Sequence, residues 1–482
     1  MVNNLGRINT FFAFSISFLL AFMLPITGIR AENISNSSDP YDLLIIGPET
    51  YRSSIQRFVE FKRTQGIIAR YFSVEQINAC VGVKKSVLDL PLVEKIHAFV
   101  SREYERSGIK YLLLVGTYAS VPTKYVYSPS YEFEIADFNY KPTDWYYAVP
   151  EWEDSQIGLL DGNLPEIAVG RLPVKDGEEL EIVLSKIIWA EGRFQAGSFL
   201  VFGDFDESEA LLSIPYLFYE SDGNLTKKIQ SKNLFDGVLY AMSCSHGTPS
   251  ALWTRGANGE WKALFTSEDL SYIESIYGIH YLFACFTGAL DLEEKEGEGL
   301  ARALSVSPKG PALVIASARA DGSDTKIPSN FWNAFFETGD VGRAFLYALR
   351  RYISDPSIFS GEMPRYQYYN FYLTKVIYGD ISWRVKDAKK TLVDLSENLP
   401  ENSSMSTGFE TYTLGIDEDR KNTTHPFFAQ FPILFLSLTG LMMVLISWKK
   451  ISGTSLTMII PRNKSSMSKI EREKEGKGRK EK

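Results

Sequence analysis

The chain has 482 residues, 45% of them hydrophobic and 13% aromatic, which supplies a large core and excludes a disordered, collagen-like or coiled-coil body. A net charge of -8 argues against a nucleic-acid partner held by a generally basic surface. The charge is uneven, because the segment from Lys449 to Lys482 carries 11 Lys/Arg against 4 Asp/Glu while the body before it is strongly acidic.

In chain order, Arg7 precedes an apolar run from Phe11 to Leu24, followed by Pro25 and small residues up to Ala31. Residues 1–31 therefore read as a secretory signal peptide, with an uncleaved anchor as the alternative, and the mature chain starts near Glu32. Sequons at Asn33, Asn36, Asn224, Asn402 and Asn422 mark candidate glycosylation sites on an exported protein.

From residue 41 onward short unbroken apolar runs alternate with helical periodicity, the pattern of a mostly parallel sheet covered by helices. Strands are expected at Leu43–Gly47, Tyr111–Gly116, Glu166–Gly170, Phe199–Gly203, Val238–Ser243, Tyr281–Ala284 and Ala312–Ser317. Helices are expected at Ile55–Gln65, Leu92–Arg106, Gly177–Arg193, Leu264–Tyr277, Gly299–Ser305 and Val341–Ile353. The fold class is α/β, with an N-terminal subdomain over 41–135 and a second over 136–387.

Residues 388–426 are rich in Ser, Thr, Asn and acidic residues and read as a flexible stalk. Phe427 to Trp448 then runs without a charge, about 33 Å of helix, enough to span a bilayer. Lys449, Lys450 and the basic tail over 449–482 follow directly, so the positive-inside rule places the tail in the cytoplasm and the head outside the cell.

Two strand ends carry chemistry, since catalytic groups in open α/β sheets gather at the carboxyl ends of strands. One reads Met242-Ser-Cys244-Ser-His246-Gly247, the other Phe283-Ala284-Cys285-Phe-Thr-Gly288. A thiol needs a nearby base or cation to act as a nucleophile near neutral pH, and His246 could activate Cys285 and later protonate a leaving amine. The N–H groups of Gly247 and Cys285 are candidates for an oxyanion hole. Three cysteines, Cys80, Cys244 and Cys285, are too few for a disulfide scaffold, and Cys244 is the rival nucleophile. Cys244, His246 and Cys285 make a poor zinc set without further ligands. His280 reads as an edge residue, and His97 and His425 have no evident partners.

A strand ending His-Gly paired with a later strand ending Ala-Cys resembles the caspase-like clan of cysteine peptidases, and the surrounding residues resemble the gingipain family within it. Tyr41-Asp-Leu-Leu-Ile-Ile-Gly, Phe61-Lys62-Arg63-Thr-Gln65-Gly66, Thr143-Asp144-Trp-Tyr-Tyr147, Glu166-Ile-Ala-Val-Gly170-Arg171, Ala316-Ser-Ala-Arg319 and Tyr378-Gly379-Asp380 carry the likeness in order over residues 41–387. The resemblance implies a caspase-like catalytic subdomain over 136–387, Cys285 as nucleophile, His246 as its partner and Glu166 as the acid that orients the histidine. Ser245 departs from the glycine usual before that histidine. No cofactor is implied for the chemistry. The resemblance allows structural calcium at Asp144, Glu151, Glu153, Asp154 and Asp161, but these lack EF-hand spacing and read first as a solvated acidic loop.

The resulting expectation is a membrane-anchored extracellular cysteine endopeptidase acting on protein or peptide substrates through an acyl-enzyme. A transamidase using the same acyl-enzyme and a catalytically silent surface binding protein are the alternatives.

Overall fold

The computed structural model describes residues 40–79, 90–128, 139–152, 164–193, 197–203, 217–220, 234–255, 259–293, 297–321, 325–355 and 371–388. Residues 1–31, expected to be a signal peptide, Cys80, the expected stalk beyond Ala388, the apolar segment 427–448 and the basic tail lie outside the described residues. Among the described residues no helix is long and apolar enough to cross a membrane.

The chain opens with β1 (Leu43–Gly47), α1 (Arg52–Thr64), β2 (Ala69–Ser73), α2 (Val74–Asn78), α3 (Leu92–Ser107) and β3 (Tyr111–Val115). A hairpin of β4 (Lys124–Tyr127) and β5 (Tyr140–Thr143) leads through a 3-10 turn at Asp144–Ala148 to β6 (Ala168–Leu172) and α4 (Gly177–Arg193). β7 (Ser198–Gly203), β8 (Leu217–Glu220), β9 (Val238–Cys244), β10 (His246–Thr248), β11 (Ala251–Arg255) and β12 (Trp261–Thr266) follow. The last described elements are β13 (Ile276–Phe283), α5 (Leu300–Val306), β14 (Gly310–Ser317), α6 (Lys326–Thr338), α7 (Val341–Ser354) and β15 (Lys375–Gly379).

Ten strands form one sheet in the order β2-β1-β3-β6-β15-β14-β13-β9-β7-β8. β2, β1, β3 and β6 pair in parallel, as do β14, β13, β9, β7 and β8. β15 runs antiparallel to β14 and lies between the two groups. The boundary expected at 135/136 does not divide this sheet, because β6, from the second segment, pairs with β3 of the first. Every residue of β1, β3 and β14 is buried, which accounts for apolar runs without alternation.

Helix ends follow local chemistry. Ser73 and Gln76 close a capping box on α2, Asp340 accepts the Arg343 N–H at the start of α7, and Gly108 and Gly339 end α3 and α6 in the left-handed region. α6 lays Phe331, Trp332, Phe335 and Phe336 against Phe199 of β7, Tyr240 of β9 and Tyr281 of β13. Lys62 of α1 is buried between Glu191 of α4, at 2.9 Å, and Asp380, at 2.6 Å. The Phe61-Lys62-Arg63 and Tyr378-Gly379-Asp380 segments thus meet in one buried ionic cluster.

Two expected elements differ. Leu264–Tyr277 is no helix: it comprises the end of β12, a 3-10 turn at Ser267–Tyr272 and the start of β13. Leu264 and Phe265 are buried on β12 and Tyr277 on β13, and between them the Thr266 N–H and hydroxyl both donate to the Asp269 carboxylate, at 2.8 and 2.9 Å, and close a turn. The strand expected at Glu166 begins at Ala168, because the Glu166 and Ile167 N–H groups donate to Ala148 O.

Candidate active site

β9 and β13 lie side by side with Cys244 opposite Phe283, so Ser245-His246 and Ala284-Cys285 leave the sheet next to each other. The Ser245 N–H donates to Phe283 O at 3.3 Å and maintains that alignment past the last ladder pair. β10 carries His246 and Gly247 into a three-stranded ribbon with β11 and β12. Gly247 is seated directly on the nucleophile turn. A Cβ there would lie 2.3 Å from Cys285 O, 2.9 Å from Ala284 Cβ and 3.0 Å from Cys285 N, so only glycine allows this approach.

The imidazole of His246 meets the indole of Trp261 edge to face, with ring centroids 4.7 Å apart. Trp261 opens β12 and is fixed opposite Arg255. Ser245, in the place where the resembling family has glycine, donates its hydroxyl to Trp253 O, one of the β11 residues that face β10.

Cys285 is partly exposed, whereas Cys244 is buried, and neither is in a disulfide. Burial, and then the Asp321 carboxylate, push the Cys244 thiol well above its ordinary range. The Cys285 sulfur instead meets the Asp321 backbone, whose N–H can donate to it at 3.2 Å and whose carbonyl can accept the S–H at 3.4 Å, so the thiolate and the thiol each find a partner there. The turn behind it is fixed. The Phe286 N–H donates to Arg319 O at 3.0 Å and the Gly288 N–H to Ser317 O at 2.9 Å. Phe286 itself has φ +60°, a left-handed conformation costly for an aromatic residue and held by these bonds. Arg319 grips Asp291 through both Nη atoms, tying the chain after β14 to the chain after Cys285.

The structure therefore brings Cys285, His246 and Gly247 together, and it does not bring Glu166 to them. β15 starts with Lys375 opposite Ser317, at the Cys285 end of β14, and ends with Gly379 opposite Leu313. The chain beyond it places Arg384 Nη2 3.2 Å from the Tyr111 hydroxyl, and Tyr111 is the first residue of β3, opposite Ala168. Glu166, two residues before Ala168, lies at this far end, exposed and paired with Arg350 at 2.7 Å. In a sheet whose catalytic turn leaves the opposite edge, it cannot orient His246.

Other candidates are also relocated. His280 is not at an edge but in the middle of β13, fully buried, where burial lowers its pKa to about 3 and its Nδ1 lies 2.8 Å from the Tyr277 hydroxyl. His97 has partners, bonding Val149 O at 2.8 Å and stacking on Tyr146. Asp144 gives both carboxylate oxygens to the Arg171 guanidinium, each at 2.7 Å. Glu151 is exposed, and Glu153, Asp154 and Asp161 lie outside the described residues; among the described residues no acidic or His/Cys cluster of metal-binding geometry occurs. Sequence reasoning passed over Trp261, Asp321 and Lys375. Lys375 had a signal, being the one charge in Phe371–Gly379.

A family model for peptidase family C25 matches residues 36–380. No curated protein matches the chain by sequence. Among solved structures, the complex of Porphyromonas gingivalis RgpB pro- and mature domains is similar at 16% identity and a TM-score of 0.51, covering 72% of this chain and 80% of that one. A structure described as a protease is similar at 13% identity and a TM-score of 0.52, covering 72% and 78%. At these identities the structural likeness speaks to the fold.

Proposed function

The chain belongs to peptidase family C25, the gingipain family of cysteine peptidases, and we propose that it is an endopeptidase with Cys285 as nucleophile and His246 as general acid and base. The Cys285 thiolate attacks the scissile carbonyl carbon, forming the S–C bond, while the Gly247 and Cys285 N–H groups receive the developing oxyanion. His246 delivers its proton to the amine nitrogen as the C–N bond breaks. Water then attacks the thioester carbonyl, His246 takes up its proton, and the S–C bond breaks to release the acid and regenerate the thiolate.

The observation that carries this reading is the seating of Gly247 on the Cys285 backbone, which joins the imidazole-bearing turn to the thiol-bearing one. A peptidyl acyloxymethyl ketone should label the protein covalently. The label should persist in Cys244→Ala and vanish in Cys285→Ala; labelling of folded Cys285→Ala protein would refute the assignment.

The same proposal places the peptidase outside the cell on a single membrane anchor at 427–448, supported by the uncharged run and the basic residues that follow it. A C-terminal tag should resist external protease in right-side-out vesicles. Digestion of the tag with the bilayer intact would reverse the topology.

A further inference from the structure

Lys375 is buried in an otherwise apolar strand, and burying an ammonium ion is costly unless it is paired with good geometry. It pairs with the Asp321 carboxylate and donates to Ser317 Oγ at 3.0 Å. Its Nζ also lies 5.8 Å and 5.6 Å from the ring centroids of Tyr281 and Phe283, on the strand that leads to Cys285. The Asp321 carboxylate, itself nearly inaccessible, accepts the Ser317 hydroxyl at 2.7 Å, and the backbone N–H of the same residue reaches the Cys285 sulfur at 3.2 Å.

This arrangement contains a conflict and its resolution. Fixing the Asp321 side chain fixes its backbone at the sulfur, where the N–H can receive a thiolate once the S–H bond to the Asp321 carbonyl is given up, but a buried carboxylate beside a thiol opposes ionisation, as the Asp321 charge does at Cys244. A cation on the same carboxylate removes the opposition and keeps the amide in place. On the elements that meet at this turn the titratable and charged groups include His246 on β10, Cys244 on β9, Tyr281 on β13, Asp321 and Arg319 after β14, Asp291 after the nucleophile turn and Lys375 on β15. Arg319 and Asp291 neutralise each other.

We propose that Asp321 and Lys375 are a charge-balanced positioning pair for the Cys285 thiolate, Asp321 holding its amide on the sulfur and Lys375 cancelling the carboxylate charge. The inference rests on the reading of Cys285 as nucleophile. It is tested by the pH dependence of Cys285 alkylation by iodoacetamide, followed by peptide mass spectrometry on the full-length protein in detergent. Lys375→Met leaves the carboxylate unbalanced and should raise the alkylation midpoint by about two pH units, the scale of one uncompensated charge roughly 6 Å away at an effective dielectric near 20. Asp321→Asn should lower it, and Lys375→Arg should retain the wild-type midpoint. A Lys375→Met midpoint equal to or below that of Asp321→Asn would overturn the proposal, because a merely structural pair gives no opposed shifts. Where Lys375→Met does not fold, Asp321→Asn against wild type decides: a fall supports the pair, and no change or a rise refutes it. Failure of the peptidase reading shows separately, as turnover that survives Cys285→Ala.

Discussion

Gly247→Ala tests the contact on which the active-site geometry depends. The added methyl would meet Cys285 O at 2.3 Å and Cys285 N at 3.0 Å, both backbone atoms of a turn already bonded through Phe286 and Gly288. The two turns must separate by about 1 Å to reach ordinary contact, and a displacement of that size between catalytic groups costs about a hundredfold in rate, or about 2.7 kcal/mol of transition-state stabilisation. Overpacking adds about 1–3 kcal/mol of destabilisation. The assay is kcat/KM on a fluorogenic peptide together with the rate of acylation by a covalent probe and a thermal melt. Gly177→Ala, where no atom lies within 4 Å of the new methyl, serves as the control. Activity within about threefold of wild type would show that the separation of the two turns does not limit acylation, and the geometric reasoning would fail.

Cys285 should alkylate at least about tenfold faster than Cys244, since one is partly exposed and the other buried with its thiol pushed up; equal rates would remove the basis for choosing between them. Glu166→Gln should leave kcat/KM within about twofold, because it alters an exposed ion pair with Arg350 and a long bond from the Tyr104 hydroxyl at the far end of the sheet. A hundredfold loss would restore Glu166 as the orienting acid. His280 is held neutral, its pKa lowered to about 3 by burial, so between that value and about 6.5 the unfolded chain binds a proton the folded one does not, and stability is lost as the pH drops through this window. Wild type should lose up to about 2 kcal/mol more than His280→Gln between pH 7 and pH 4.5 in urea titrations, and identical losses would contradict the assignment.

The central strands were legible because burial on both faces leaves continuous apolar runs, as in Leu43–Gly47 and Ala312–Ser317. Periodicity misled at Leu264–Tyr277, where a β-ribbon, a turn and the start of a sheet strand happen to space apolar residues as one helix would. β15 was not read as a strand because Lys375 interrupts its apolar pattern. That charge is tolerated only because Asp321, distant in sequence, lies opposite it in space.

The candidate site divides along the same line. His246 and Cys285 were readable because each ends an apolar strand, and the sheet turned two sequence-distant ends into neighbours through the β9–β13 pairing. Glu166 was misplaced because a carboxylate at a strand start has the same local signature whether its edge of the sheet faces the reaction or not. The direction in which strands leave the sheet decides that, and only the full strand order supplies it. The same reasoning explains why Asp321 escaped notice. Its chemistry lies in a backbone N–H, which every non-proline residue has, and its distinction comes from a carboxylate anchored by Lys375 so that this one amide points at sulfur.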